Sequence, residues 1–288
     1  MKTPHLTAVM RLIPVALSTS LTLALLGPTA RADFSGPYDT GNWNLQNTGA
    51  NDDGAVDFGG VPASVVLTGG DNGSGEEGFT LFTITSAGSG LMSFDWTTTH
   101  PDPGFDFLGY IVGDEFFELT DDEDDGSETV LVCPGQTIGF YVETPDNDTG
   151  APTLTITNFS GPTNNPWTNL GGGIRGSFGP PILEPCGSLI GNEPVRVTTS
   201  AGIPFGTSFW IYSLNSISVP LKGGVLVPDP SLNTIVPLPL NDEGRFTLNG
   251  VWPPGLPGGV SFFMQFWAPD PGAAQGFSAT DGWQGTTP

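Results

Sequence analysis

Phe79-Thr80-Leu81-Phe82-Thr83-Ile84-Thr85 alternates with a period of two. Successive side chains on an extended backbone point to opposite sides, so Phe79, Leu81 and Thr83 share one face and Thr80, Phe82 and Ile84 the other. The same rhythm recurs at residues 64–68, 91–96, 107–112, 116–119, 129–133, 137–143 and 153–159, with Gly, Pro, Asp and Asn between the runs. About eight short strands at intervals of about 8–14 residues predict a β-sandwich. The 42 glycines and 28 prolines argue against helix, while 37% hydrophobic and 10% aromatic content suffices for a core and argues against disorder.

Outward from this stretch the chain divides. Lys2 and Arg11, an apolar run over 12–26 and the small-x-small triplet Ala30-Arg31-Ala32 read as a signal peptide, residues 1–32. The apolar run is shorter than the roughly 20 residues of a spanning helix, which sets aside the alternative of an uncleaved anchor. Residues 33–162 are expected to form an acidic β-sandwich of the jelly-roll or immunoglobulin-like type. Pro, Asn and Gly then crowd into residues 160–173, and residues 163–173 read as a linker. Residues 174–288 resume the strand rhythm at 194–200, 208–214, 224–227, 234–240, 245–251 and 260–267. They predict a smaller immunoglobulin-like module, with prolines placing several strands at edges. The expected fold is therefore all-β: two sandwiches after a cleaved signal.

Charge is distributed unevenly. Residues 33–162 carry 23 Asp and Glu and no Lys or Arg; residues 163–288 carry 7 acids against Arg175, Arg196, Lys222 and Arg245. Such a field repels nucleic acid and anionic lipid and attracts divalent cations, although selection for solubility outside the cell is an equal explanation. No later stretch is apolar enough to span a bilayer. Two cysteines in an exported chain favour a Cys133–Cys186 disulfide over a redox or zinc site, with a buried core cysteine as the alternative reading of Cys133.

The segments FSGPYDTGNW (34–43), ASVVLTGGDNGSG (63–75), FDW (94–96), PGFDFLGY (103–110) and ITNFS (156–160) resemble a β-sandwich domain of exported bacterial proteins, many of which carry a PEP-CTERM sorting tail. The resemblance spans about 33–162 and implies association with exopolysaccharide-producing envelopes. The last residues, GWQGTTP (282–288), contain neither apolar span nor basic cluster, so sorting through such a tail is not expected. KGGVLVP (222–228), WPPGLP (252–257), QFW (265–267) and the terminal Thr-Thr-Pro resemble a C-terminal module of other exported bacterial proteins, for which no activity is implied.

Candidate chemistry is sparse. Outside the signal the one histidine is His100, and no G-x-S-x-G elbow accompanies it. Asp95, Asp106 and Glu115 are the carboxylates a glycosidase reading would need to gather. Divalent-ion binding is the better site hypothesis. Asp121, Asp122, Asp124 and Asp125 stand in DDEDDGSE (121–128), and residues 71–77 add three carboxylates in a Gly-rich loop. Calcium takes six to eight hard oxygen ligands in flexible geometry, but the spacing is not that of an EF-hand, and a solvated acidic loop is the competing reading. A second oxygen-rich string, DPGFDFLGY (102–110), resembles the calcium-bearing Asp-Tyr region of CUB-like sandwiches and nominates Asp102, Asp106 and Asp114; turn chemistry at Pro103-Gly104 explains part of the same string. Trp210, Tyr212 and Trp267 would stack on sugar rings if their strand faces are outside, and form core if not. Together these readings predict an exported, non-enzymatic structural or adhesive protein of the envelope or matrix, with calcium as its only expected cofactor and extracellular polysaccharide or envelope proteins as partners. A carbohydrate-binding module or glycan-active accessory is the alternative.

Overall fold

The computed structural model describes residues 33–50, 52–232 and 235–288. The expected signal peptide lies outside the described residues. The first half contributes β1 (Asn44–Gly49), β2 (Ala55–Asp57), β3 (Ser64–Thr68), β4 (Gly78–Thr85), β5 (Gly90–Thr99), β6 (Phe107–Val112), β7 (Glu115–Thr120), β8 (Asp125–Val132), β9 (Thr137–Thr144) and β10 (Thr153–Ser160). They form two five-stranded sheets, ordered β1-β4-β9-β6-β7 and β2-β3-β10-β5-β8, and every pairing is antiparallel.

Alternation in the sequence becomes inside and outside. Leu154 and Ile156 of β10 are fully buried, whereas Thr153, Thr155 and Thr157 face outward. Phe82, Met92, Phe94, Leu108, Ile138 and Phe140 join them between the sheets. The segment before β1 closes this core. Trp43 stacks on Phe82 at 4.6 Å, Phe34 stacks on Phe159 at 4.9 Å, and the Trp43 indole N–H donates to the Tyr38 carbonyl oxygen at 3.0 Å. A three-ring plug of this kind removes several hundred Å² of apolar surface from water, and aromatic pairs add about 0.5–1.5 kcal/mol each beyond that burial.

The second half contributes β11 (Trp167–Gly171), β12 (Ile182–Cys186), β13 (Pro194–Ser200), β14 (Thr207–Ser213), β15 (Ser216–Leu221), β16 (Gly224–Pro228), β17 (Ile235–Pro239), β18 (Phe246–Val251), β19 (Ser261–Pro269), β20 (Phe277–Ala279) and β21 (Gly282–Thr286). A sheet ordered β11-β21-β19-β14-β17, with β20 added beside β19, packs against the three-stranded sheet β12-β13-β18. Leu183, Val197, Met264 and Phe266 fill the space between. The hairpin β15–β16 covers the other face through Leu226, Ile211 and Trp267. Gln265 anchors that hairpin from a fully buried position. Its side-chain oxygen accepts from Val227 N–H at 3.0 Å, and its amide donates to the carbonyls of Val225 and Thr280 at 3.0 and 2.9 Å. One side-chain amide thus supplies the bonds that a neighbouring strand would have made.

Residues 163–173 are not a free linker. Trp167–Gly171 is an edge strand paired with β21, and Trp167 is 4% exposed with its indole N–H donating to the Gly187 carbonyl at 2.8 Å. The Pro, Asn and Gly that read as a linker flank one aromatic residue, and its burial overrides their turn preference.

The halves are joined by a buried seam. Cys133 and Cys186 are disulfide-bonded with their Cα atoms 4.5 Å apart. Beside them Ser89, 1% exposed, accepts from Gly187 N–H at 2.8 Å through its hydroxyl, and its own N–H donates to the Asn164 carbonyl at 2.9 Å. Gly88 is required here, because a Cβ would meet the backbone of Pro162 and Asn164.

Two outcomes are expected in urea unfolding. Cys133→Ala combined with Cys186→Ala should cost about 4 kcal/mol, the chain-entropy value for a loop of 53 residues. Trp167→Ala should cost about 3–5 kcal/mol, against almost nothing for a tryptophan in a free linker.

Candidate functional site

Antiparallel pairing gathers acids that the sequence scatters. Thr68 and Thr99 both pair with Thr153, Gly78 pairs with Thr144, Phe107 with Glu143, and Thr97 with Asp125. The loops 50–54, 69–77, 100–106, 121–124 and 145–152 therefore all leave the same end of the first sandwich, and they hold more than half of its carboxylates. The opposite end carries the disulfide seam.

The nominated metal ligands separate at this acidic pole. Asp121, Asp122, Asp124 and Asp125 are exposed. The carboxylates of Asp122 and Asp124 each accept the N–H of the following residue, at 2.7 and 2.8 Å. Asp125 already belongs to β8, so the expected loop from 121 to 128 shrinks to four residues. The backbone of that short loop is held from β5, where Thr98 N–H donates to the Asp124 carbonyl and Thr98 Oγ1 to the Asp122 carbonyl, both at 2.9 Å. Asp106 is different: it is 2% exposed, and its Oδ2 has no hydrogen-bond partner. Burial first, then the charges of Asp102, Asp146 and Asp71, push its carboxyl up to about 7. Asp114 lies in the β6–β7 hairpin, at the opposite end from Asp102 and Asp106, so the CUB-like trio is not brought together. Among the described residues no three His, Cys, Asp or Glu side chains are close enough to hold a metal ion as they stand.

The catalytic candidates are dispersed as well. Asp95 sits on the outer face of β5, accepting from Ser127 and Asn158 side chains at 2.6 Å each. Glu115 opens β7 at the far end, and Asp106 is buried at the acidic pole. His100 is 7% exposed with neither ring nitrogen bonded. Burial lowers its pKa, opposed by the charges of Asp122, Asp121 and Glu123.

Two surfaces had no sequence signal. The first is the outer face of β4, β9, β6 and β7. The ring centroids of Phe116 and Phe79, on strands three apart, lie 6.2 Å from each other, and the Tyr141 ring lies 5.1 Å from Phe116. Gly109 permits this, because a Cβ there would strike the Tyr141 ring. Tyr141 is left 3% exposed, and burial, then Glu118 and Glu143, push its hydroxyl up to about 12. At the rim the Glu143 carboxyl lies beside that of Glu77, and its pKa is raised by burial first, then by its contact with Glu77 and by the charges of Glu77 and Glu118. Trp210, Tyr212 and Trp267, the aromatics considered for sugar stacking, pack against the second-half cores instead.

The second surface is a cleft of about 410 Å³ beside the disulfide, lined by both halves of the chain. Trp283, Ile182, Leu183 and four prolines form its apolar part; Gln136, Asn169, Glu184, Arg196, Thr198 and Asp281 supply polar groups. Asn169 Nδ2 donates to Asp281 at 3.1 Å, and the Arg196 guanidinium lies over the bridge, 3.2 Å from Cys133 Sγ. Periodicity could not reveal this cleft, because its walls come from residues nearly 150 positions apart.

The Glu143–Glu77 pair yields a pH test. A carboxyl whose folded pKa is raised contributes stability below its unfolded pKa, and that stability is lost as pH rises through the folded value. Glu143→Gln should therefore leave the melting temperature unchanged near pH 3.5 and raise it near pH 8, relative to the parent chain in a thermal scan.

No family model matches the chain, and no curated protein matches it. Solved structures similar to it include a family 29 carbohydrate-binding module (13% identity, TM-score 0.25, over 42% of this chain and 80% of that one). Others are the adhesin domain of Epf from Streptococcus pyogenes (8%, 0.23, over 84% and 79%) and a tandem of family 22 carbohydrate-binding modules from Paenibacillus barcinonensis (11%, 0.25, over 86% and 86%).

Proposed function

We propose that the chain is an exported, non-catalytic adhesive protein of the cell envelope or its surrounding matrix, holding extracellular polysaccharide in the cleft beside the disulfide. The observation that carries this reading is the composition of the cleft: one tryptophan on a wall of prolines and aliphatic side chains, with amide, carboxylate and guanidinium groups on the same space. A sugar offers apolar C–H faces to an aromatic ring and hydroxyls to such groups, and sites of this kind are concave with few, well-placed polar atoms. The acidity of the chain turns away nucleic acid and anionic membranes and leaves neutral polysaccharide as the fitting partner. The dispersal of Asp95, Asp106 and Glu115 to three separate places supports the non-catalytic part.

The test is a glycan array probed with residues 33–288, followed by calorimetry on the retained sugar. Trp283→Ala should weaken binding about tenfold, the value of one aromatic contact and its apolar area. Asn169→Ala, at an exposed position, should also weaken it while leaving the fold intact. Binding indifferent to both variants would move the site elsewhere, and release of new reducing ends would make the protein an enzyme.

A further inference from the structure

The outer face of the sheet β1-β4-β9-β6-β7 carries aromatic rings where a solvated sheet face ordinarily carries polar side chains. Register sets out who shares that face. Thr48 lies opposite Phe79 and Phe79 opposite Glu143, while Gln46 lies opposite Leu81 and Leu81 opposite Tyr141. Further along, Tyr141 pairs with Gly109 and Gly109 with Glu118; Gly139 pairs with Ile111 and Ile111 with Phe116. Gly109 and Gly139 add no side chain, and the Phe116 ring meets those of Phe79 and Tyr141 while remaining 52% exposed. Two carboxylates, Glu143 and Glu118, therefore stand in the same rows as the rings, with Glu77 beside Glu143. No Lys or Arg of residues 33–162 answers them, because there is none.

We propose that this face binds a polysaccharide bearing free amino groups, with Phe116 and Phe79 against the C–H faces of the sugar rings and Glu118 and Glu143 holding the ammonium groups. A protonated amine supplies the charge that these carboxylates lack, and an ammonium over an aromatic ring gains cation–π attraction as well. Gln46 and Thr48, next to Leu81 and Phe79, offer an amide and a hydroxyl to sugar hydroxyls. A basic peptide fits less well. Extended peptides dock on sheets by backbone pairing at an edge, and β4, β9 and β6 are paired on both sides, so the face presents side chains alone. The acidic field of the first sandwich draws a cationic polymer toward it. The site is separate from the cleft, and it takes a cationic polymer where the cleft takes a neutral one.

The test is calorimetry on residues 33–288 carrying Trp283→Ala, which removes the aromatic contact of the cleft and keeps the two sites distinguishable. The probes are a short glucosamine oligomer, the same oligomer fully N-acetylated, and an oligolysine of equal charge. The glucosamine oligomer should bind at least about tenfold more tightly than either of the others, and less tightly as sodium chloride is raised. Phe116→Ala should weaken that binding about tenfold, and Phe116→Tyr should restore it. Glu118→Gln, at an exposed position, should weaken it about two- to fivefold, and it serves alone if Phe116→Ala does not fold. Three results each overturn the proposal: the acetylated oligomer binding as tightly as the free amine, oligolysine binding as tightly, or an affinity that no substitution at Phe116 or Glu118 changes.

Discussion

The seam at Cys133 and Cys186 is the constraint on which the remaining architecture depends. A covalent bridge alone would tether the two halves without orienting them. Orientation comes from its neighbours: the buried Ser89 hydroxyl accepting from Gly187, the Ser89 N–H donating to Asn164, and Gly88 lying against the backbone of 162–164. These bonds are made out of water, where an unpaired donor or acceptor is expensive, so they hold one arrangement of the halves. The cleft exists because of that arrangement. Gln136 reaches it from the first sandwich and Asn169, Arg196 and Trp283 from the second.

The seam also sets the electrostatic polarity of the molecule. The four basic residues beyond position 162 all belong to the half that carries the cleft wall, whereas the acidic loops leave the first sandwich at its other end. A negative pole distant from the cleft leaves the cleft's own charges, Arg196 against Glu184 and Asp281, to act locally. With a Debye length of about 8 Å at physiological salt, the two regions are electrostatically separate.

Within the first sandwich the acids carry different burdens. Asp122 and Asp124 satisfy local N–H groups and remain hydrated, which is the ordinary fate of a charged turn. Asp106 is built into the protein, and Glu143 is pressed against Glu77, so both are destabilised as anions. The density of the acidic run at 121–125 therefore misdirects attention: number of charges is a poor guide to strain, and burial of one is a better guide.

The period-two pattern of residues 79–85 and its seven companions was legible because inside and outside alternate along a strand whatever lies opposite. Those runs mark strands of the first sandwich, the corresponding runs between 194 and 267 mark strands of the second, and the all-β architecture follows from both sets. Composition also disclosed the charge asymmetry, and cysteine parity favoured the disulfide. What sequence could not disclose depended on distance. Trp167 is surrounded by residues that favour turns, and only its burial against the second half makes β11. Asp106 carries no local mark separating it from Asp102, since its desolvation comes from the packing around the first sandwich's acidic end. The cleft joins Gln136 to Trp283 across nearly 150 residues. Local alternation is a property of the chain and can be read there; burial, convergence and the shape between two sandwiches are properties of contacts between distant segments, which tertiary structure alone brings into being.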